Sequence, residues 1–432
     1  MSGTTVATEE GTVAPPKDSI LSNSVLMFAT TLLMAGGGAV FWVLAARLQS
    51  PANVGIAGSL VATADSIALF AQLGLNIMIV RTMPTSTRKA SDVMTAGVIV
   101  VSAGAAFTLV YCLLLPLTSP KLADVLGSPL AIAIYCVLVA GTALNVLTDS
   151  VFLATNRLWD YLRLNGIAMS VGKCVLPFAL AGAGALGLYG SFGTAILLCA
   201  GASLWVIFRH LPGRRSFSPS QEFLDSRRFA GAGYATYVLT VLPLLVFPLL
   251  IINTRGSADA AAYFIAFQLA TLLNAVILAV SNSTYAASER AFHHRRHIVR
   301  KGGMTLAVCS VGGALAMSLL APYFLFIFGE HYVEEGTTIL RVLSLATVGA
   351  AFNYWSAMRL RLSRHLKAMV LVQLVSTVVM LTLAGLLAQY GAVWVAAAWG
   401  IGHLVGGVLG FVASKTVARY YDKPTRPDVE VA

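Results

Sequence analysis

The residues best placed to do chemistry are few and oddly sited. Lys173, in SVGKCVLPF, and Asp65, in SLVATADSIALF, are ionisable groups set inside long apolar runs. Such a group costs several kcal/mol in hydrocarbon unless it faces a polar cavity or a partner. A lysine there can attract an anion, and a carboxylate can bind a cation or exchange a proton. Asp65 shares a helical face with Gly58, Ala62, Gln72 and Asn76 at spacings of three, four or seven, so a polar strip along one helix is expected. A second, uncharged strip runs through Thr271, Asn274, Ser281 and Tyr285. The stretch ERAFHHRRHIVRK, Glu289 to Lys301, is the opposite case: in a soluble protein its basic density would mark a phosphate or nucleic-acid patch.

The elements that position these groups follow from composition. The 432 residues are 57% hydrophobic and only 11% charged, against about 25% charged in an ordinary soluble domain. Mean hydropathy is +0.80. The apolar residues gather into runs of roughly 20 or more, enough to cross about 30 Å of hydrocarbon as helix. Segments such as VLVAGTALNVLTDSVFLA do not alternate as barrel strands would, so an all-α integral membrane protein is expected. Charged and Pro/Gly breaks divide the chain into about twelve transmembrane helices, near 24–46, 54–80, 93–116, 129–155, 165–185, 188–208, 230–252, 260–285, 303–328, 337–358, 367–388 and 392–414. The five cysteines fall inside apolar runs without metal-ligand spacing and read as small hydrophobes. Residues 1–23 read as a disordered tail ahead of a retained first helix.

Of the 29 lysines and arginines, all but Arg47, Lys121, Arg255, Arg341 and Lys173 fall in the tails or in loops after even-numbered helices. That bias puts both termini in the cytoplasm. HHRRHIVRK is then the cytoplasmic loop between helices 8 and 9, in contact with membrane lipids and not nucleic acid. Arg47 and Arg255 oppose the rule. They suit capping of helix C-termini, with phosphate contact as the alternative, and Arg341 is similar, with Glu334 and Glu335 nearby.

Arg47 and Arg255 also mark an internal repeat. Each follows an apolar helix and opens a short turn, RLQSPANVG and RGSADAAAY, into a small-residue helix; Arg81 and Arg290 close the next helix in each copy. Two six-helix bundles in parallel orientation are expected: 24–209 and 229–418, joined by a cytoplasmic linker at 210–228 and followed by a tail at 419–432.

The segment FWVLAARLQSPANVGIAGSLVATADSIALFAQLGLNIMIVRTMP, Phe41 to Pro84, resembles the helix 1–2 region of Wzx-type polysaccharide flippases of the multidrug/oligosaccharidyl-lipid/polysaccharide (MOP) exporter superfamily. Ala261–Arg290 and Leu340–Arg361 are similar to helices 8 and 10 of that group. The major-facilitator signature after helix 2 is missing from RTMPTSTRKASD. The resemblance implies a transporter that flips an undecaprenyl-pyrophosphate-linked oligosaccharide across the bacterial inner membrane by alternating access, for cell-surface polysaccharide synthesis. Its partners would be the polyprenyl-linked glycan and polysaccharide polymerase or assembly proteins.

On that reading Lys173, Asp65, Gln72, Asn76, Asn274, Asn353 and Trp355 are candidates to line the substrate cavity, and Arg47, Arg255 and Arg341 to touch phosphate. Asp65 and His403 are candidates for proton coupling, although His403 in the glycine-rich WGIGHLVGG also suits plain packing. No cofactor is expected beyond a coupling H+ or Na+. A cation-coupled multidrug antiporter of the same superfamily is the alternative; such proteins usually carry an acid in helix 1, which Ser24–Ala46 lacks, so Asp65 would stand in. An enzyme is not expected, because the loops hold no metal-like or acid/base cluster, Glu222 and Asp225 included.

Overall fold

Without water to pair the backbone, apolar runs of this length are stable as helices. The computed structural model describes residues 17–416 apart from 212, 214–215, 291–293 and 364. The expected tail 419–432, most of 1–23, part of the linker and the first residues of the basic loop lie outside it. Within it the chain forms helices Lys17–Leu48 (α1), Pro51–Phe70 (α2), Leu75–Thr82 (α3), Lys89–Thr118 (α4), Pro120–Val125 (α5), Pro129–Ala154 (α6), Leu158–Tyr161 (α7), Met169–Leu180 (α8) and Gly184–His210 (α9). Then follow Gln221–Asp225 (α10), Arg227–Thr254 (α11), Ser257–Arg290 (α12), Arg295–Phe326 (α13), Glu330–Leu362 (α14), Leu366–Leu387 (α15) and Ala392–Thr416 (α16). No strand occurs among the described residues.

Local sequence explains the boundaries. Ser50 and Ser128 each precede a proline and accept the amide three residues on, from Asn53 and Ala131, at the starts of α2 and α6. A capping hydroxyl pairs an orphan N–H, and proline at the first position lacks one that the helix could not use.

Among the described residues, ten helices are long and apolar enough to cross a membrane. The expected fifth and tenth are helical but fall short of that measure. The fifth, expected over 165–185, is divided between a π-helical stretch Leu162–Ala168, which follows α7, and α8, with Pro177 inside. The tenth, α14, carries Glu330, Glu334, Glu335, Arg341, Arg359 and Arg361.

One expectation is corrected. The second span is not a continuous helix over 54–80: it stops at Phe70, Leu73 and Gly74 take left-handed φ values of 49° and 80°, and α3 begins at Leu75. Gly74 suits that conformation, and the turn rotates everything after it away from the face of Asp65.

α2 lies at the centre. It packs on α6 and α9 and, from the other side, on α11 and α12. The approach to α12 is close enough that a Cβ on Gly55 would collide with the Ser257 carbonyl, and one on Gly58 would sit 2.7 Å from the Phe264 ring. α14 packs against α12, α13 and α16. The linker is held by hydroxyls: Ser91 bonds Ser216 at 2.9 Å, Arg88 donates to Ser218 at 2.9 Å, and the buried Asp92 carboxylate accepts the Ser220 amide at 2.6 Å and its hydroxyl at 2.8 Å.

Candidate functional site

Asp65 projects from the middle of α2 toward α11 and α12. There it opens into a cavity of about 200 Å³ walled by Phe247, Tyr263, Phe264 and Phe267, with Ser66, Gln268 and Thr271 as its polar lining. Tyr263 and Phe267 stack at 5.8 Å, and Phe264 meets Trp42 of α1 edge-on at 4.4 Å. A lone carboxylate beside aromatic faces suits a lipophilic cation, which gains from both the charge and the ring quadrupoles.

Lys173 is 7% exposed and does not reach out to an interface. Its ammonium lies 4.0 Å from the centre of the Phe192 ring on α9. Phe192 in turn packs on Phe41 and Trp42, so the lysine and the Asp65 cavity flank one aromatic cluster.

The rest of the expected α2 strip does not line this cavity. Gln72 is fully buried and donates to the Ala68 and Ala143 carbonyls at 3.1 and 2.8 Å, tying α2 to α6. Asn76 falls beyond the helix break, on a shallow surface with Val80, Arg81 and Ser150. The end of α2 at Phe70, before Gln72, and the left-handed turn at Leu73–Gly74, before Asn76, are the physical reasons.

The candidates at Asn274, Asn353 and His403 come together, one ring contact beyond the Asp65 cavity, whose Phe267 meets Trp399 edge-on at 5.9 Å. Asn274 donates to the Tyr354 hydroxyl at 3.3 Å; Asn353 and His403 Nδ1 are 3.0 Å apart; Trp399 and Tyr354 meet the imidazole edge-on at 4.7 and 5.9 Å. Asn353 and His403 are buried. This neutral network joins α12, α14 and α16. Trp355 is on another face of α14, where its indole N–H donates to the Val299 carbonyl of α13 at 3.5 Å.

The three arginines separate. Arg47 donates to the Phe326 and Ile327 carbonyls at 3.0–3.2 Å, capping the C-terminus of α13 from α1. At the same end of the molecule Lys121 reaches the Ile252 carbonyl at 3.2 Å and Asn253 donates to the Thr118 carbonyl. These bonds all link the α1–α5 region to α11–α13. Arg255 pairs with Asp259 one turn on, at 3.1 Å. Arg341 donates to the Ser318 carbonyl at 3.2 Å.

Two polar groups escaped the reading of the sequence. Asp149 on α6 accepts a hydrogen bond from buried Asn165 on the π-helical stretch. The signal was there, since an acid in LNVLTDSVF is as anomalous in hydrocarbon as Asp65. Thr63 and buried Tyr135 share a hydrogen bond of 2.8 Å, with the Tyr189 ring 5.0 Å away; nothing in residue spacing pairs residues of α2, α6 and α9.

No family model matches the chain, and no curated protein does. Solved structures do. The chain is similar to an inward-facing structure of a multidrug resistance MATE family transporter of the MOP superfamily, at 16% identity and TM-score 0.67 over 93% of this chain and 98% of that one. An outward-facing MATE structure of the same superfamily gives 0.59, covering 94% and 97% at the same identity. A MOP superfamily transporter from Pyrococcus furiosus, described as having a binding pocket of reversed polarity, gives 0.63 over 95% and 97% at 16% identity. The fold is that of MOP superfamily transporters, and the chain is a multi-pass membrane protein.

Proposed function

We propose that the protein exports small lipophilic organic cations by alternating access, with Asp65 binding the cation in one half of the cycle and a proton in the other. The observation that carries this reading is the Asp65 carboxylate opening into an aromatic cavity at the meeting of α2 with α11 and α12. A cavity of about 200 Å³ fits a drug fragment better than the head of a lipid-linked oligosaccharide. In this reading all twelve helical passes cross the membrane as two six-helix bundles, both termini are cytoplasmic, and the membrane is the bacterial inner membrane. The bonds from Arg47, Lys121 and Asn253 then close the outer end.

The test uses proteoliposomes with an imposed proton gradient and a fluorescent lipophilic cation. Gradient-driven dye movement by the wild type, lost in Asp65→Asn, is the expected result; dye movement that is unchanged in Asp65→Asn defeats the proposal.

A second reading, flipping of a polyprenyl-pyrophosphate-linked oligosaccharide, has its own support in buried Lys173, a cation that hydrocarbon would not otherwise hold, and in the absence of an acid from Ser24–Ala46. A fluorescent lipid-linked glycan in the same vesicles, followed by a membrane-impermeant quencher, distinguishes the two.

A further inference from the structure

Asp149 takes no part in the cycle proposed for Asp65. It stands in the last two turns of α6, which ends at Ala154, inside a run that hydrocarbon would otherwise surround. An acid there needs a partner, and the basic and phenolic groups that follow it along the chain are engaged elsewhere. Arg157 is held by Asp160. Tyr161 gives its hydroxyl hydrogen to the Met34 sulfur, 3.7 Å away. What Asp149 does receive, among the described residues, is a hydrogen bond from the side-chain amide of Asn165, on the π-helical stretch Leu162–Ala168. That bond leaves the negative charge uncompensated.

Two amide oxygens flank the carboxylate. Asn165 is fully buried, and its Oδ1 has no donor among the described residues. Asn145, one turn before Asp149 on the same face of α6, is 5% exposed, and its Oδ1 has no donor either. The unused capacity of all three side chains is therefore oxygen lone pairs. A buried acceptor without a donor is destabilising, and a bound ion is one of the few things that accounts for it. The supports are firm. Asn165 and Gly166 are the buried residues of the π-helical stretch, and an added Cβ on Gly166 would lie 3.5 Å from the Thr30 backbone of α1. On the other side the Leu164 carbonyl accepts the Cys199 thiol of α9 at 3.5 Å. Widened turns of this kind are frequent at functional sites. Asp149 itself is only partly covered, so an ion can reach it.

We infer that Asp149, Asn165 and Asn145 bind an alkali-metal cation, sodium or potassium, which ties α6 to the π-helical stretch. The donor set decides the class. It is all oxygen, which suits a hard cation over zinc or copper. It carries one negative charge, so one positive charge balances it, and a divalent ion would leave an excess in a low-dielectric site. A half-turn of the Asn165 amide brings its Oδ1 to the place where the nitrogen now meets the carboxylate, so the same residue serves with the ion and without it. Asp65 meets aromatic walls where Asp149 meets amide oxygens, and the two acids suit different cations. The site does not depend on what the transporter carries.

The full chain, purified in detergent into choline chloride, would be titrated with sodium, potassium or calcium chloride at constant ionic strength. The thermal unfolding midpoint follows binding, and radiolabelled sodium or rubidium counts the ions held. Sodium or potassium is expected to raise the midpoint saturably, because the ion binds the folded chain, while calcium and choline do not. Asp149→Asn keeps the shape of the side chain and Asn145→Leu keeps the acid; each should weaken ion binding by about tenfold or more. Asp160→Asn removes an acid on α7 that belongs to the Arg157 pair, and should leave ion binding unchanged. Equal midpoints in alkali salts and in choline would mean that Asp149 is kept as the neutral acid, and would overturn the site. So would a stronger response to calcium, no loss in Asn145→Leu, or equal loss in Asp160→Asn. Ion binding lost in Asp65→Asn and kept in Asp149→Asn would place the ion in the α2 cavity and overturn the site as well.

Discussion

The two halves of the chain carry their buried polarity in different forms. In the α1–α9 region the polar interior is ionic: Asp65 and Lys173 flank the aromatic cluster of Trp42 and Phe192, and Asp149 lies on α6. In the α11–α16 region it is neutral, built from Asn274, Tyr354, Asn353 and His403. The repeat expected from the sequence sharpens the contrast, because it sets Asn274 on α12 close to the position of Asp65 on α2. The amide is engaged by Tyr354, and the carboxylate opens into the cavity between the halves. An amide can join helices at modest cost in a low-dielectric interior; a charge is kept there only where something binds to it or exchanges with it. On the proposed function, the ionic half is the one that binds cargo and coupling ion, and the neutral half is the frame against which it works.

The contrast breaks most directly at Asp65. Asp65→Asn removes the charge from the cavity and should lower gradient-driven cation flux about a hundredfold, the scale of losing one partner of a desolvated charge pair. Adding Asn274→Asp, which moves the acid to the other half, should not restore flux, because the new carboxylate would face Tyr354. Recovery of transport in the double variant would show that the halves are interchangeable and that the comparison is wrong.

Asn353 tests the neutral half. Asn353→Ala leaves the buried His403 ring nitrogen without its partner and should cost about 1–3 kcal/mol of stability. Flux per folded molecule should stay within about twofold, since a stability change of this kind acts on the folded fraction. Thermal unfolding in detergent and flux normalised to folded protein measure the two separately. A flux defect without a stability defect would give His403 the coupling role considered from sequence.

Lys173→Met keeps the bulk of the side chain while removing its charge and its contact with Phe192. A cation–π contact in a desolvated site is worth about 2 kcal/mol, but the methionine avoids burying a charge, so net stability should change little. Flux should fall about tenfold because the field acting on Asp65 is lost. A normal flux in Lys173→Met would reduce the lysine to packing and leave Asp65 to act alone.

How much of this was legible beforehand depended on the kind of signal. Composition and the length of apolar runs gave the membrane class and helices at the expected positions, because hydrocarbon leaves the backbone so little choice. Ionisable residues in apolar runs stood out for the same reason, and Asp65 and Lys173 were found that way. The strip through Gln72 and Asn76 assumed one unbroken helix, whereas α2 ends at Phe70 and a left-handed turn at Leu73–Gly74 precedes Asn76. The lining of the Asp65 cavity by Phe247, Tyr263 and Phe267 was not readable at all. Aromatic residues are ordinary in membrane helices, and only the packing of α2 against α11 and α12 makes these three a wall.

The smallest effect concerns the seam between the halves. Arg47 of α1 caps the end of α13 across that seam, yet it is exposed, and exposed contacts are weakened by water and salt. Arg47→Ala removes hydrogen bonds from a charged donor to the Phe326 and Ile327 carbonyls, and both carbonyls can turn to water instead. The loss should shift the balance away from the closed end by about threefold, well under the effect at Asp65. A cysteine placed at Gln49, beside the seam, would report this as faster labelling by a membrane-impermeant thiol reagent. Arg47→Lys should recover part of the closure, since it keeps the charge and loses the fork of donors. If Arg47→Ala labels no faster than the parent, the cap is local to α13, and closure at this end rests on the fit of Gly55 and Gly58 against α12. Gly55→Ala should then be the variant that opens it, because a methyl group there collides with backbone that has nowhere to move.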